Sequence, residues 1–462
     1  MSVQHVELLI VGGGKAGKSL AMERAAQGVQ VALVEEKYIG GTCINVACIP
    51  TKTLIATARL LYDAQRGGQR GVANTADAVV DLEALRANKN NVVGGMVAAH
   101  RKMFNDSPME FIEGHAEFAG PKSVAVTLAD GDVVALSADR MVINLGTRPA
   151  RPAIPGLWEA GAWTSEDLLH LSKLPDNMTI IGGGYIGVEC AQMLSDLGVK
   201  VTLVVSTAQI LPREDADIAG LLAAELEAHG VEILLNVRAE SATVVGDKTV
   251  LTLSDGTELA TDQVLVAVGR TPNTDNCNFQ ATGIDLNDRG FIVVDDALRT
   301  NIDGVWAAGD AAGSPMFTHA AWNDFRAIKA QLAGAPATSP AAQVAGRLMP
   351  YSVFTTPELA SIGINETQAQ KQGLDVVVAK LPTANIPRAK TLGATAGLWK
   401  AVVDAKTHQV LGATLLGHES GEVIAAVQLA MVGGLTYEQI RAQAIAHPTM
   451  AEGLNLLFDT LG

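Results

Sequence analysis

A short apolar run, Val6 to Val11, leads directly into Gly12-Gly13-Gly14-Lys15-Ala16-Gly17. An amphipathic stretch follows, and then a second apolar run, Val29 to Val34, which ends at Glu35. Strand, glycine turn, helix and strand in that order is the pattern of one half of a dinucleotide-binding fold. Gly12, Gly14 and Gly17 would let backbone approach a pyrophosphate. The helix N-terminus would add amide donors and a positive dipole, and Glu35 would accept from a ribose hydroxyl. The pattern recurs at Met178 to Ile181, Gly182-Gly183-Gly184-Tyr185-Ile186-Gly187, and Val199 to Val205. An α/β chain with two Rossmann-like domains is therefore expected, with Gly182, Gly184 and Gly187 forming the second phosphate turn. At the offset where Glu35 follows Gly12, Gly182 is followed by Val205 rather than an acid. The second site thus lacks the group that holds the free 2′-hydroxyl of NAD. Ser206 and Thr207 could instead bind a 2′-phosphate, and Arg213 is the nearest downstream cation, which favours NADPH and leaves NADH open.

Composition narrows the class. At 462 residues the chain has room for roughly two to four domains. Charged residues make up 18% against 48% hydrophobic, fewer charges than the usual quarter or so, which implies surface buried between domains or subunits and hence an oligomer. Net charge is −15, with no basic stripe, so nucleic acid and acidic membranes are not expected partners. The N-terminus, Met1-Ser2-Val3-Gln4-His5, lacks the basic region and cleavage site of an export signal. Val423 to Leu435, a weakly polar stretch, falls short of the roughly 18 residues needed to span a bilayer, and a cytoplasmic protein is expected. Four cysteines do not make a secreted disulfide framework. Cys190, on a predicted helix, and Cys277, in a polar loop, read as bystanders, and no resident metal site is indicated.

The other two, Cys43 and Cys48, stand in Gly40-Gly41-Thr42-Cys43-Ile44-Asn45-Val46-Ala47-Cys48-Ile49-Pro50-Thr51-Lys52. Five residues of helix advance about 7.5 Å, too far for a disulfide inside a regular helix. A strand would separate them further, so the segment must curl if the two are to meet. Gly40 and Gly41 before the pair, and Pro50 suited to a first helical turn after it, supply the means. So short a loop would remove only about 2 kcal/mol of chain entropy, a weak reason for a staple. A working redox pair is the better reading than two unrelated buried cysteines.

Cys-x4-Cys beside one dinucleotide turn, with a second turn downstream, resembles the flavoprotein pyridine nucleotide-disulfide oxidoreductases, and the resemblance covers essentially the whole chain. Thr300 to Asp310 is similar to the family's second FAD motif, whose terminal Asp310 would meet the ribityl chain. Gly146-Thr147-Arg148-Pro149 and Gly269-Arg270-Thr271-Pro272-Asn273 resemble its two domain crossovers. Tyr351 to Glu358 resembles the entry to its dimerisation domain, and His447-Pro448-Thr449-Met450-Ala451-Glu452 its catalytic histidine with an orienting glutamate. The resemblance implies an FAD domain over 1–147, an NAD(P) domain over 148–262, an FAD return segment over 263–345 and an α+β dimerisation domain over 346–462.

It further implies electron flow from NADPH or NADH through FAD to Cys48, then to Cys43, which attacks substrate. His447, set by Glu452 and reaching across a homodimer, would move the proton of Cys43; its bland alternative is a satisfied histidine before a helix starting at Pro448. Lys52 and Glu189 would pair near the flavin, against plain readings as a solvated lysine and a helix-surface glutamate. Thr42, Lys52, Gly146 and Gly269 join the implied cofactor contacts. Tyr185 takes the place where several NADPH-using relatives carry a mobile aromatic. Phe317 to Ala321 would open a helix toward the flavin, with His319 structural. Ala47 replaces a usual glycine, tolerable with φ below zero.

Within the family the chain resembles the bacterial reactive-chlorine-resistance flavoproteins, through Gly14-Lys15-Ala16-Gly17-Lys18, Cys43-Ile44-Asn45, Pro50 to Leu54, Leu211 to Asp215 and Tyr351 to Phe354. That implies reduction of a small oxidised substrate such as hypothiocyanous acid, a disulfide or a metal ion. Ile386 to Ala389 and Met450 to Leu454 are shared with mercuric reductases, but the chain ends Phe458-Asp459-Thr460-Leu461-Gly462 without their cysteine pair. Dihydrolipoyl dehydrogenase fits the dithiol and His447, whereas Tyr185 and Val205 speak against it. A flavin-bound redox sensor is the alternative of a different class.

Overall fold

In this computed structural model residues 3–462 are described; Met1 and Ser2, part of the terminus expected to lack an export signal, lie outside the described residues. One compact unit comprises the chain up to Thr53, Arg86–Ala150 and Arg270–Arg347. Its central strand, Val3–Val11, pairs in parallel with Val31–Glu35 on one side and Val133–Ile143 on the other. Glu110–Gly120 and Val305–Ala307 extend the parallel sheet outward. Helix Lys15–Ala26 makes the first crossover, as a doubly wound half requires. The strands are apolar on both faces because both are covered. Leu8 and Ile10 pack with helix residues Leu20 and Phe325, while Leu9 and Val11 pack with Phe118 and Val126. The second group lies under an antiparallel meander, in which Ser123–Leu128 pairs with the distal parts of Glu110–Gly120 and Val133–Ile143. The two crossover segments pair with each other, Thr147–Pro149 antiparallel to Arg270–Pro272.

A second unit comprises Leu54–Leu85, Arg151–Gly269 and Leu348–Gly462. It holds an all-parallel sheet in the order Val231–Leu235, Lys200–Val205, Asn177–Ile181, Gln263–Val266, Trp163–Thr164. Its C-terminal part is a five-stranded antiparallel sheet around the buried Trp399, flanked by helices Ser420–Val432 and Gly453–Asp459. Two Rossmann-like sheets plus a C-terminal α+β part is the fold class expected from the motifs. Among the described residues no helix is long and apolar enough to cross a membrane.

The helix start at Pro448 that belonged to the alternative reading of His447 is not present. Residues 448–452 turn instead of starting a helix, which begins at Gly453, because the Thr449 hydroxyl bonds the Ala446 carbonyl and Glu452 turns back to His447. Cys277 is in a loop as expected and is buried against the cluster holding Phe118 and Phe279, and burial pushes its thiol up to about 11.

Gly41 has φ +90°, and a Cβ there would stand 2.8 Å from Gly14 Cα. Gly28 has φ +84° with nothing within 4 Å of a Cβ. Gly41→Ala should therefore cost about 2–4 kcal/mol in denaturant unfolding, backbone strain plus a clash, and Gly28→Ala only about 1 kcal/mol of strain. Equal losses in the two variants would contradict the packing argument.

Candidate active site

The cysteine segment curls in three steps. Gly40 and Gly41 turn with φ +88° and +90°, Thr42–Asn45 forms one short helical turn, and Val46 breaks it with φ −141°. A new helix, Cys48–Gln65, then begins at the second cysteine, with Pro50 in its first turn. Ala47 is not among the residues with positive φ, so its methyl group is accommodated. Asn45 holds the curl closed: its Nδ2 donates to the carbonyls of Ile39 and Gly41, 2.9 Å each.

Both cysteines are free thiols, and they hydrogen-bond to each other. The Cys43 bond pulls the Cys48 thiol down, against the opposing effect of burial, and Lys52 and Thr318 add to the pull. Cys48 comes to about 6. Cys43, the donor in that bond and half-buried, is pushed up. The pair is thus polarised, with the charge on Cys48 at the N-terminus of an 18-residue helix, where the dipole also favours an anion. Thr318 Oγ1, 3.9 Å from Cys48 Sγ, opens helix Thr318–Leu332. The segment Phe317 to Ala321, expected to face the flavin, thus also contacts the thiol.

The residues of the first glycine turn fit a dinucleotide. A Cβ on Gly12 would lie 2.2 Å from Asn144 O, on Gly14 2.6 Å from Asn144 Oδ1, and on Gly17 2.1 Å from Gly12 O. Asn144 locks the turn, accepting from Gly17 N at 3.0 Å and donating to Ala308 O at 2.8 Å. Glu35 ends its strand and accepts from Gly13 N at 2.7 Å, Lys37 N at 2.9 Å and Tyr38 N at 2.8 Å. Asp310 accepts from Thr147 Oγ1 at 2.7 Å, next to Gly146 (φ +66°), and burial raises its carboxyl. Close-approach glycines, helix-start amides and acids suited to ribose and ribityl hydroxyls are what FAD requires. Thr42 opens the short helix just before Cys43, and Lys52 stands one turn after Cys48 in the long one.

In the second unit Gly182 (φ +117°) would place a Cβ 2.5 Å from Ala267 O, and Gly187 1.8 Å from Gly182 O. Positions 184 and 269 leave open space for a Cβ, Gly269 having φ +127°. Gly183 packs on Val205, the residue equivalent in place to Glu35. Ser206 is exposed at that strand end, whereas the Thr207 hydroxyl donates to Gln209 O at 2.8 Å. Tyr185 begins the helix, and its hydroxyl donates to Glu214 Oε1 at 3.2 Å. Tyr351 donates to the same oxygen at 2.6 Å, and the two rings lie 5.3 Å apart. Burial raises all three groups, Tyr185 to about 12. Neither Glu214 nor Tyr351 was singled out in the sequence as a partner of Tyr185.

Glu189 is buried rather than on a helix surface, and accepts from Phe354 N at 2.8 Å. His447 Nδ1 meets Glu452 Oε2 at 2.8 Å, with the imidazole 70% exposed and the carboxylate largely buried. The structure therefore brings Cys43, Cys48, Lys52 and Thr318 together in one unit, and His447 with Glu452 in the other.

The sequence matches the family model described as pyridine nucleotide-disulphide oxidoreductase over residues 6–324, and the dimerisation domain of the same family over 349–457. It is 40% identical to the "Probable pyridine nucleotide-disulfide oxidoreductase RclA" of Escherichia coli over 98% of both chains. It is 34% identical to a dihydrolipoyl dehydrogenase of Halobacterium salinarum, covering 96% of this chain and 94% of that one. A mercuric reductase of Bacillus cereus is also 34% identical, over 97% of this chain and 70% of that one. The solved "HOCl-induced flavoprotein disulfide reductase RclA from Escherichia coli" superimposes with TM-score 0.89 at 37% identity, covering 99% of this chain and all of that one.

Thiolate is the reactive form, so alkylation of Cys48 by iodoacetamide should rise with pH through a midpoint near 6. Lys52→Met should move that midpoint upward by about one unit, since one stabilising cation is removed. A wild-type midpoint at or above 8, followed by mass spectrometry, would rule out the polarised pair.

Proposed function

The chain belongs to the pyridine nucleotide-disulphide oxidoreductases, and on that premise we propose that it passes electrons from NAD(P)H through FAD and the Cys43–Cys48 pair to a small oxidised substrate, hypothiocyanous acid foremost. The polarised thiol pair is the observation that carries this reading. Bound FAD would accept hydride from the nicotinamide and deliver an electron pair to the disulfide. Gly12, Gly14, Gly17, Glu35, Thr42, Gly146 and Asp310 would hold it, while Gly182, Gly184, Gly187, Tyr185, Ser206 and Gly269 would receive the nicotinamide coenzyme. Val205 at the strand end supports NADPH, with NADH also usable. FAD is assigned to 1–147 and 263–345, the coenzyme to 148–262 and the interface to 346–462.

Cys48 keeps the charge, helped by Lys52. Cys43 attacks the sulfur of hypothiocyanous acid as its proton leaves, so that a Cys43–SCN bond forms and water departs. Cys48 then attacks Cys43, releasing thiocyanate and closing the disulfide; the dithiol is oxidised by two electrons and the substrate reduced by two. With Nδ1 engaged by Glu452, the other nitrogen of His447 is available to take the Cys43 proton. That histidine would come from a second copy. Leu429 and Val432, 73% and 70% exposed on helix Ser420–Val432, support a homodimer. The absence of a secreted disulfide framework supports a cytoplasmic placement. The words "HOCl-induced" attached to the E. coli relative support an oxidant-derived substrate.

In stopped-flow reoxidation of the reduced enzyme, hypothiocyanous acid should react faster than glutathione disulfide, lipoamide or Hg(II). Fastest reaction with lipoamide would overturn the choice of substrate. Cys43→Ser should retain flavin reduction by NADPH yet lose substrate turnover by about 10³-fold or more.

A further inference from the structure

Lys18 lies on the helix after the first glycine turn and is 4% exposed. Its Nζ donates to the Gly40 carbonyl at 2.9 Å and meets His100 Nε2 at 2.7 Å. His100 Nδ1 meets the Met96 carbonyl at 2.8 Å, which makes Nδ1 the donor and leaves Nε2 to accept. Both partners of the ammonium are therefore neutral, and among the described residues no carboxylate pairs with it. A buried cation without an anion is costly, and such an arrangement persists where a charge elsewhere offsets it. The charged groups facing Lys18 are Lys15 on its own helix, His100 on helix Leu82–Asp106 and Cys43 on the short helix Thr42–Asn45. Among them only Cys43 belongs to a group that can gain negative charge, the hydrogen-bonded thiol pair. Burial, then Lys15, pull Lys18 down to about 8, and Cys43 works in the opposite direction.

The position is also mechanical. Gly40 leads into Gly41-Thr42-Cys43, and a Cβ on Gly40 would lie 3.2 Å from His100 Cγ. Lys18 and His100 thus clamp the entry of the cysteine segment from one side, while Gly14 bears on it at Gly41.

We propose that Lys18 is a positioning residue of the redox pair, whose buried ammonium holds the Gly40 carbonyl and favours the reduced pair over the disulfide. The proposal rests on the reading of Cys43 and Cys48 as that pair. Reduction by dithiothreitol breaks the S–S bond and delivers two electrons and two protons. One proton stays on Cys43, the other leaves to buffer, and Cys48 becomes a thiolate. That new negative charge belongs to the hydrogen-bonded pair, whose member Cys43 faces Lys18, and it strengthens proton binding at Lys18, so the reduction equilibrium gains an extra pH dependence around pH 8, where the ammonium titrates.

The test equilibrates the FAD-loaded protein and the variants Lys18→Met and Lys18→Arg in dithiothreitol redox buffers from pH 6 to 9, counting thiols by alkylation and mass. Lys18→Met should shift the equilibrium about tenfold toward the disulfide at pH 7, about 30 mV for a two-electron couple, and lose the extra dependence at pH 8. Lys18→Arg should stay within about twofold of wild type at pH 7 yet also lose that dependence, because guanidinium does not titrate there. Thermal midpoints and FAD retention report the purely mechanical role. A Lys18→Met protein with the wild-type equilibrium at every pH would overturn the proposal. Should Lys18→Met not fold, Lys18→Arg decides by the pH 8 dependence alone. A wild-type protein that forms no Cys43–Cys48 disulfide would instead overturn the underlying reading of the pair.

Discussion

The contact between Gly41 and Gly14 is the constraint on which the first unit's site is arranged. Two backbones meet there with no room for a Cβ. One is the turn whose amides suit a pyrophosphate, and the other enters the cysteine segment. The distance from a dinucleotide held at that turn to the thiols would therefore be set by main chain rather than by adaptable side chains. Asn45 and Asn144 secure the two sides, one closing the curl and the other bracing the glycine turn against the strand that precedes Gly146.

On that frame, electrostatics separates two chemically identical groups. Cys48 begins a long helix and has Lys52 and Thr318 for company; Cys43 donates to it and is raised by doing so. Such a pair titrates as a unit, and the asymmetry belongs to the pair rather than to either residue alone. In the second unit the same physics works the other way. Glu214, buried and shared by the hydroxyls of Tyr185 and Tyr351, is raised by desolvation. The loop that carries it is tied down by Leu211 N to Gly183 O at 2.8 Å and by buried Lys400, which bonds Asp215 at 2.7 Å. Tyr185 is held at the mouth of the second turn by residues distant in sequence.

Much of this was legible along the chain. Glycine spacing, apolar run length and the acid after the second strand locate both turns, because close backbone approach excludes every side chain but hydrogen. The Cys-x4-Cys spacing demands a curl on helix geometry alone, and Pro50 marks where helix resumes. The turn at Pro448 where a proline could have opened a helix, and the burial of Cys277 within an apparently polar loop, show the limit of local reading. Each was decided by partners outside the local stretch, the carboxylate of Glu452 turning back in one case and the Phe118–Phe279 cluster in the other.

Sequence by itself determined which groups are present and the local backbone they require: two phosphate turns, a curled thiol pair, a histidine with a glutamate five residues on. Only the tertiary structure decided how those groups are charged. Lys18 stands in a motif that says nothing of its charge, and its burial beside neutral His100 and Gly40 arises from the packing of three separate segments. Thr318 and Glu214 likewise acquire meaning from residues more than a hundred positions away. Periodicity and spacing are properties of neighbours along the chain. Desolvation and Coulomb fields are properties of neighbours in space, and they assign the protons.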